Sequence, residues 1–231
     1  MRVLVTRPRF DAARTAEKLA ALGHEALIDP VIEIEPLPFD AAVSGVSALV
    51  FTSANAVRVA AAQGTLKQVP VFAVGERTAE VAGESGFAIA GVAAGDVSSL
   101  GELIAAKLPP GQQALHLAGE DRAGDLPNFL SRNGIVVETR IIYRARASEN
   151  LRPETVGALK AGRIGAVLHY SERSAANFVR LVEKAALSEF ARKTRHYCIS
   201  PAAASPLASL GAQVTAATAP SEAALLDLLE R

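Results

Sequence analysis

The stretch from Leu4 to Ile32 returns without a gap 111 positions later, from Leu115 to Tyr143, and Gly23 lands on Gly134. Val3-Leu4-Val5 and Ala114-Leu115-His116-Leu117 each read as a short buried strand. Thr6-Arg7-Pro8 and Ala118-Gly119-Glu120-Asp121 follow as loops. Apolar residues then recur at helical spacing, at Ala12, Ala16, Leu19 and Ala20 in one copy and at Leu126, Phe129 and Leu130 in the other. Gly23 and Gly134 stand where a helix-ending glycine would. Ala26-Leu27-Ile28 and Ile135-Val136-Val137 are second strands, and Val31–Ile34 and Ile141–Tyr143 are further extended pieces.

The remainder repeats as well. Ala48-Leu49-Val50-Phe51-Thr52-Ser53 resembles Ala166-Val167-Leu168-His169-Tyr170-Ser171, and Val71–Gly75 parallels His196–Ser200. Val97-Ser98-Ser99-Leu100 opens one final helix and Pro220-Ser221-Glu222-Ala223 the other. Strand, loop and helix alternate throughout, which predicts an α/β fold of two similar domains, each a parallel sheet flanked by helices. The Pro-rich segment from Pro30 to Pro38 and its counterpart from Tyr143 to Arg146 are the expected hinge strands.

Composition narrows the function. Lys plus Arg equals Asp plus Glu at 24 each, so the formal charge is zero, and non-specific nucleic-acid binding lacks its basic surface. Cys198 is the only cysteine, which excludes an intrachain disulfide and a cysteine zinc site. Arg7 interrupts the N-terminus too early for a signal peptide, and no apolar run is long enough to span a bilayer. A cytoplasmic protein without membrane attachment is expected.

In an open parallel sheet, ligands bind beyond the C-terminal ends of the strands. Those positions hold Thr6-Arg7, Ser53-Ala54-Asn55, Gly75-Glu76-Arg77-Thr78, Ala118-Gly119, Ser171 and Ser200, and Ser98, Ser99 and Ser221 open helices. Hydroxyls and helix N-termini suit carboxylate or phosphate groups, although the same serines suit plain helix capping. No dinucleotide fingerprint or P-loop occurs. His24, His116, His169 and His196 lack metal-ligand spacing, and the last three fall inside strands, where buried structural roles are expected. The Glu120-Asp121 pair reads as a solvated loop. These residues describe a two-lobed binder of a polyanionic small molecule, held between the halves.

Val5-Thr6-Arg7-Pro8, Val50-Phe51-Thr52-Ser53 with Asn55-Ala56-Val57, Val74-Gly75-Glu76-Arg77-Thr78-Ala79, Ile142-Tyr143-Arg144-Ala145 and Ala219-Pro220-Ser221 together resemble the uroporphyrinogen-III synthases, along the whole chain. The resemblance implies two domains joined by a two-stranded linker, residues 1–36 with 145–231 forming one and 37–144 the other. It implies conversion of hydroxymethylbilane to uroporphyrinogen III by dehydration, inversion of ring D through a spiro intermediate and ring closure, without cofactor or metal. Tyr143 matches the family's tyrosine and would donate to the departing hydroxyl. Arg7, Ser53, Asn55, Gly75, Thr78, Ser171, Ser200 and Ser221 would bind the substrate's carboxylates.

One departure stands out. Where the family often carries a Gly-x-Thr-Thr loop, this chain has Ser200-Pro201-Ala202-Ala203-Ala204, so no threonine role transfers to Ala202 or Ala203. The loss favours an alternative, a non-catalytic two-lobed sensor of a polycarboxylate or tetrapyrrole. The duplication itself is consistent with a monomer.

Overall fold

The computed structural model describes residues 1–94, 97–121 and 124–230. In chain order its elements are β1 (Arg2–Val5), α1 (Arg9–Ala21), β2 (Glu25–Ile28), β3 (Ile32–Pro36), β4 (Val46–Phe51), α2 (Ala54–Ala61), β5 (Val71–Val74), α3 (Glu76–Glu84), β6 (Ile89–Ala93), α4 (Val97–Lys107), β7 (Gln113–Gly119), α5 (Leu126–Ser131) and β8 (Val136–Ala147). They continue with α6 (Pro153–Lys160), β9 (Ala166–His169), α7 (Glu172–Lys184), α8 (Ser188–Arg192), β10 (Arg195–Cys198), α9 (Pro201–Ala204), β11 (Val214–Ala216) and α10 (Glu222–Leu226). Two compact units result: Met1–Glu33 with Arg146–Arg231 (unit 1), and Ile34–Ala145 (unit 2).

Unit 1 holds the sheet β11-β10-β9-β1-β2, parallel throughout. Unit 2 holds β8-β7-β4-β5-β6, also parallel, with β3 added at the β8 edge. The two orders are one topology. β7 and β8 take the places of β1 and β2, and β4, β5 and β6 those of β9, β10 and β11. Each sheet therefore reverses its winding once, between β1 and β9 in unit 1 and between β7 and β4 in unit 2.

Both sheets are covered on both faces. In unit 1, α1 and α10 pack Ala12, Leu19 and Leu225 against Val3, Val5 and Leu168. The opposite face receives Phe178 of α7, whose ring meets those of His169 and His196. In unit 2, Leu49, Phe51, Leu115 and Leu117 face α2 and α3, while Ala48, Val50 and Ala114 face α4 and α5.

One reading of the sequence needs correction. Ile135–Val137 and Ile141–Tyr143 are not two strands but lie in or beside a single one, the twelve-residue β8. In unit 1 the corresponding course is broken into β2 and β3 around Asp29 and Pro30. Proline has no N–H to continue a ladder, and the Asp29 carboxylate instead accepts the Arg152 backbone N–H at 2.9 Å. The residue 111 positions after Pro30 is Ile141, which pairs with Ala118, so the strand runs on. The strands that carry the chain between units pair antiparallel: the Ser148 N–H bonds to Val31 and the Leu37 N–H to Ile142. Arg144 fastens this ladder by two bonds to the Glu35 carboxylate, each 2.8 Å.

Candidate functional site

A strand order that reverses once leaves a crevice at the C-terminal ends of the two strands flanking the reversal. In unit 2 those strands are β4 and β7. Ser53 follows β4 and caps α2, its hydroxyl accepting the Asn55 N–H at 3.2 Å. The Asn55 side-chain oxygen accepts from Arg58 at 3.0 Å. Gly75 follows β5 at the start of α3 with φ of 73°, a left-handed conformation that would strain any side chain, and open space lies where one would project. Thr78, one turn into α3, is buried.

Tyr143 belongs to the same side of the same sheet. The register of β7 with β8 slips between Ala118–Ile141 and Gly119–Tyr143, a bulge that leaves Ile142 unpaired by β7. Bulges of this kind re-aim side chains. Here Ile142 and Tyr143, adjacent in sequence, both join the core beneath α2 and α3, and Tyr143 is 8% exposed. Its ring lies across Gly119 so closely that a Cβ there would sit 2.6 Å from Tyr143 Cζ and 2.8 Å from the hydroxyl. Glycine at 119 is thus the cradle of Tyr143. Among the described residues the hydroxyl has no hydrogen-bond partner.

On the other side of the unit 2 sheet, Thr52 Oγ1 and His116 Nε2 are 3.3 Å apart. They line a cavity of about 390 Å³ with Val97, Asp125, Leu126 and Pro127.

In unit 1 the reversal lies between β1 and β9, and it is filled. Glu222, the first residue of α10, lays its carboxylate among Arg7 (2.8 Å), Thr15 (2.6 Å), Tyr170 (3.0 Å) and Lys18 (2.5 Å). The Arg7 guanidinium also stacks 4.0 Å above the Tyr170 ring. Burial works to raise the Glu222 pKa, but the bonds from Lys18 and Thr15, the Arg7 charge and the Tyr170 bond outweigh it and hold the carboxyl below its ordinary value. Burial, joined by the Glu222 charge, pushes the Tyr170 phenol up.

Ser171, Ser200 and Ser221 are N-caps of α7, α9 and α10, accepting from Ser174, Ala203 and Ala224 at 3.1, 3.2 and 3.2 Å. Ser171 also donates to the Ser174 hydroxyl at 2.9 Å. The others, like Ser53, spend only an acceptor lone pair on the cap, which leaves the O–H to donate elsewhere. The sequence candidates therefore form groups. Ser53, Asn55, Gly75, Thr78 and Tyr143 gather at one end and one face of unit 2, Ser171 and Ser200 hold the equivalent places in unit 1, and Arg7 and Ser221 lie on the opposite face of unit 1. Thr15, Lys18, Tyr170 and Glu222 escaped the sequence reading, although Tyr170 and Glu222 adjoin Ser171 and Ser221; Gly119 stood among the strand-end positions, without its contact to Tyr143.

Among the described residues no thiol or imidazole is prepared as a nucleophile. Burial raises the Cys198 thiol to about 12, far from a thiolate at neutral pH. His169 and His196 are buried and stacked, with Nε2 of His169 3.0 Å from Nδ1 of His196 and Nε2 of His196 2.9 Å from the Ala191 carbonyl. The carbonyl can only accept, so His196 donates to it and receives from His169. That arrangement uses both rings in the neutral form. Desolvation, with the neighbouring imidazole, drives the His169 pKa well below its ordinary value, and desolvation also lowers that of His196. Among the described residues no three His, Cys, Asp or Glu side chains form a metal site, and no helix is long and apolar enough to cross a membrane.

Two copies of one parallel-sheet unit, with serine-capped helices at strand ends, define a duplicated α/β protein. The family model described as uroporphyrinogen-III synthase HemD matches residues 13–227. The chain belongs to that family, of cyclising hydro-lyases in heme biosynthesis. The fold is similar to that of uroporphyrinogen-III synthetase from Helicobacter pylori, at 21% identity and a TM-score of 0.67, covering 100% of this chain and 99% of that one. It is also similar to a mutant uroporphyrinogen III synthase from Thermus thermophilus, at 21% identity and a TM-score of 0.53, covering 100% and 98%. No curated protein matches the sequence.

Proposed function

We propose that the chain turns hydroxymethylbilane into uroporphyrinogen III with Tyr143 as the acid, in the cytoplasm and as a monomer. The observation that carries the reaction is the family match, which runs through both units from residue 13 to 227. The substrate is an electron-rich pyrrole chain ending in a hydroxymethyl group. Protonation of that hydroxyl lets it leave as water and gives a resonance-stabilised azafulvenium cation. The cation attacks the substituted carbon of ring D, forming the spiro intermediate. Bond migration then inverts ring D and closes the macrocycle, and loss of a proton from the newly bonded ring D carbon restores the neutral pyrrole. Unassisted closure gives the I isomer, so the protein's task is to hold the chain bent and keep water from the cation.

Tyr143 suits the first step because a phenol carries an O–H that can donate. Its ring is fixed by Gly119, Ile142 and the α2–α3 core, while its hydroxyl is uncommitted among the described residues. Ser53, Asn55, Gly75 and Thr78 would receive substrate carboxylates at the starts of α2 and α3, where unpaired backbone N–H groups favour anions. Ser171, Ser200, Ser221 and Arg7 would do so in unit 1. The short loop after β10 offers Ser200 and the α9 backbone in place of threonine hydroxyls.

The test is incubation with freshly made hydroxymethylbilane followed by separation of the I and III isomers. Formation of the III isomer above the uncatalysed background is expected. Product that is only the I isomer would overturn the reading.

A further inference from the structure

The crevice of unit 1 contains more charge than a structural clamp requires. Arg7, Thr15, Lys18 and Tyr170 reach it from the loop after β1, from α1 and from the residue after β9, and all four donate to one carboxylate delivered by the distant α10. Without Glu222 the crevice would keep two cations and two hydroxyls, with Asp11, 4.0 Å from Arg7, as a partial counter-charge. That is a built carboxylate pocket.

The pocket is also not part of what was duplicated. A shift of 111 takes Arg7, Thr15 and Lys18 to Ala118, Leu126 and Phe129. The residue after β4, in the place of Tyr170, is Thr52. Each final helix opens three residues before a buried leucine, Leu100 in α4 and Leu225 in α10, which sets Val97 against Glu222. Thr52, Val97 and Leu126 line the unit 2 cavity. At the same place in the same topology, one unit therefore has a cavity lined by Thr52, Val97 and Leu126, and the other a cationic pocket with its own carboxylate inside. The serine caps of α2 and α7 are common to both units, whereas this set occurs in one of them.

We infer that Arg7, Thr15, Lys18 and Tyr170 form a carboxylate-binding subsite whose resting occupant is Glu222, and that a side-chain carboxylate of the substrate exchanges with it. The exchange rests on the polycarboxylate substrate proposed above; the pocket does not. Glu222 is tethered, so its effective concentration is high and a free monocarboxylate competes poorly. A substrate already held through its other carboxylates competes on equal terms. Displacing the resident group lowers apparent affinity, a penalty that its removal lifts.

Thermal unfolding of wild type, Glu222→Ala and Glu222→Gln should be followed in acetate or propionate and in chloride at equal ionic strength. Carboxylate is expected to raise Tm selectively in Glu222→Ala, with no selective rise in wild type. KM for hydroxymethylbilane is expected to fall about three-fold or more in Glu222→Ala, as an occupied competent state becomes free, and to rise about ten-fold in Arg7→Ala, which loses a charge-assisted bond. Glu222→Gln keeps the size of the side chain and one acceptor oxygen but loses the charge and the second acceptor, so it serves if the alanine variant is unstable, and its KM should also fall. No carboxylate-selective stabilisation of Glu222→Ala would overturn the pocket. Selective stabilisation with an unchanged or raised KM in both Glu222 variants would overturn the exchange. If none of the proteins makes the III isomer, the proposed reaction fails, while the thermal comparison still decides the pocket.

Discussion

Units 1 and 2 share one strand order, two covered faces and a serine cap on the helix after β4 and after β9, yet they differ at several side chains that carry chemistry. Unit 2 has Tyr143 lying on Gly119, and the residues 111 positions earlier are Ile32 and Pro8. Unit 1 has the buried pair His169 and His196, where unit 2 has Phe51 and Val71. Unit 1 also has the Glu222 network, where unit 2 has a cavity at the equivalent place in its own sheet. Duplication supplied a scaffold, and separate substitution then made one copy different from the other. The shared features are those a parallel sheet needs to fold. The unshared ones mark where function is expected to reside.

The sharpest break in the comparison is Tyr143. If the phenol donates to the departing hydroxyl, Tyr143→Phe keeps the ring over Gly119 and removes only the proton. General acids contribute on the order of 10²-fold or more, so formation of the III isomer should slow by about that factor. Full activity in the phenylalanine variant would assign Tyr143 to packing alone, and unit 2 would lose its claim to the chemistry.

The histidine pair makes unit 1 the acid-sensitive half. Both folded-state pKa values lie below the ordinary 6.5, chiefly through desolvation. An unfolded chain then binds more protons than the folded one as pH falls below about 6.5, and stability rises with pH through that range. The pair's full contribution is thus present above 6.5 and declines below it. Each unit by which such a pKa is depressed is worth about 1.4 kcal/mol once both states titrate. Urea midpoints at pH 5 and pH 7.5 should differ in wild type. The double substitution His169→Phe with His196→Val, which writes unit 2's residues into unit 1, should flatten that difference. An equal slope in the double variant would place the acid sensitivity elsewhere.

Gly119 provides a stability counterpart to the Tyr143 experiment. A methyl group there must displace the tyrosine ring, and overpacking of this kind costs about 1–3 kcal/mol. Urea denaturation of Gly119→Ala measures it. In a Tyr143→Ala background the clash is gone, so most of the cost should vanish, an interaction that a double-mutant cycle isolates.

Much of this architecture was legible in the sequence because it depends on periodicity. The 111-residue register, the strand runs and the glycines at 23 and 134 record local rules that act within a few residues. The bulge at Ile142 was not legible, since nothing in Arg-Ile-Ile-Tyr distinguishes a slipped register from a regular one. The single β8 was missed because a strand's continuity depends on the pairing it finds across the sheet. At the candidate site the serines were visible, but their partners were not. Nothing near Arg7 in the sequence points to Glu222, 215 positions away, whose carboxylate it holds. Contacts at that separation are set by the closing of the sheet, which leaves no short-range trace.

The smallest expected effect separates the matching caps. Ser53 and Ser171 hold equivalent positions after β4 and β9, and each accepts an N–H of its own helix. Losing a serine N-cap typically costs about 1 kcal/mol, so Ser53→Ala and Ser171→Ala should lower stability alike in urea titration. Their hydroxyl protons differ. Ser171 gives its proton to Ser174, whereas Ser53 has no acceptor for it among the described residues. A substrate carboxylate over α2 would take the Ser53 proton at no cost to the cap, while over α7 it would have to compete with Ser174. Ser53→Ala is therefore expected to raise KM for hydroxymethylbilane by a few-fold, and Ser171→Ala by less. Equal KM changes would mean that the two caps meet the substrate in the same way, and that the asymmetry between the units lies only in Tyr143 and the Glu222 pocket.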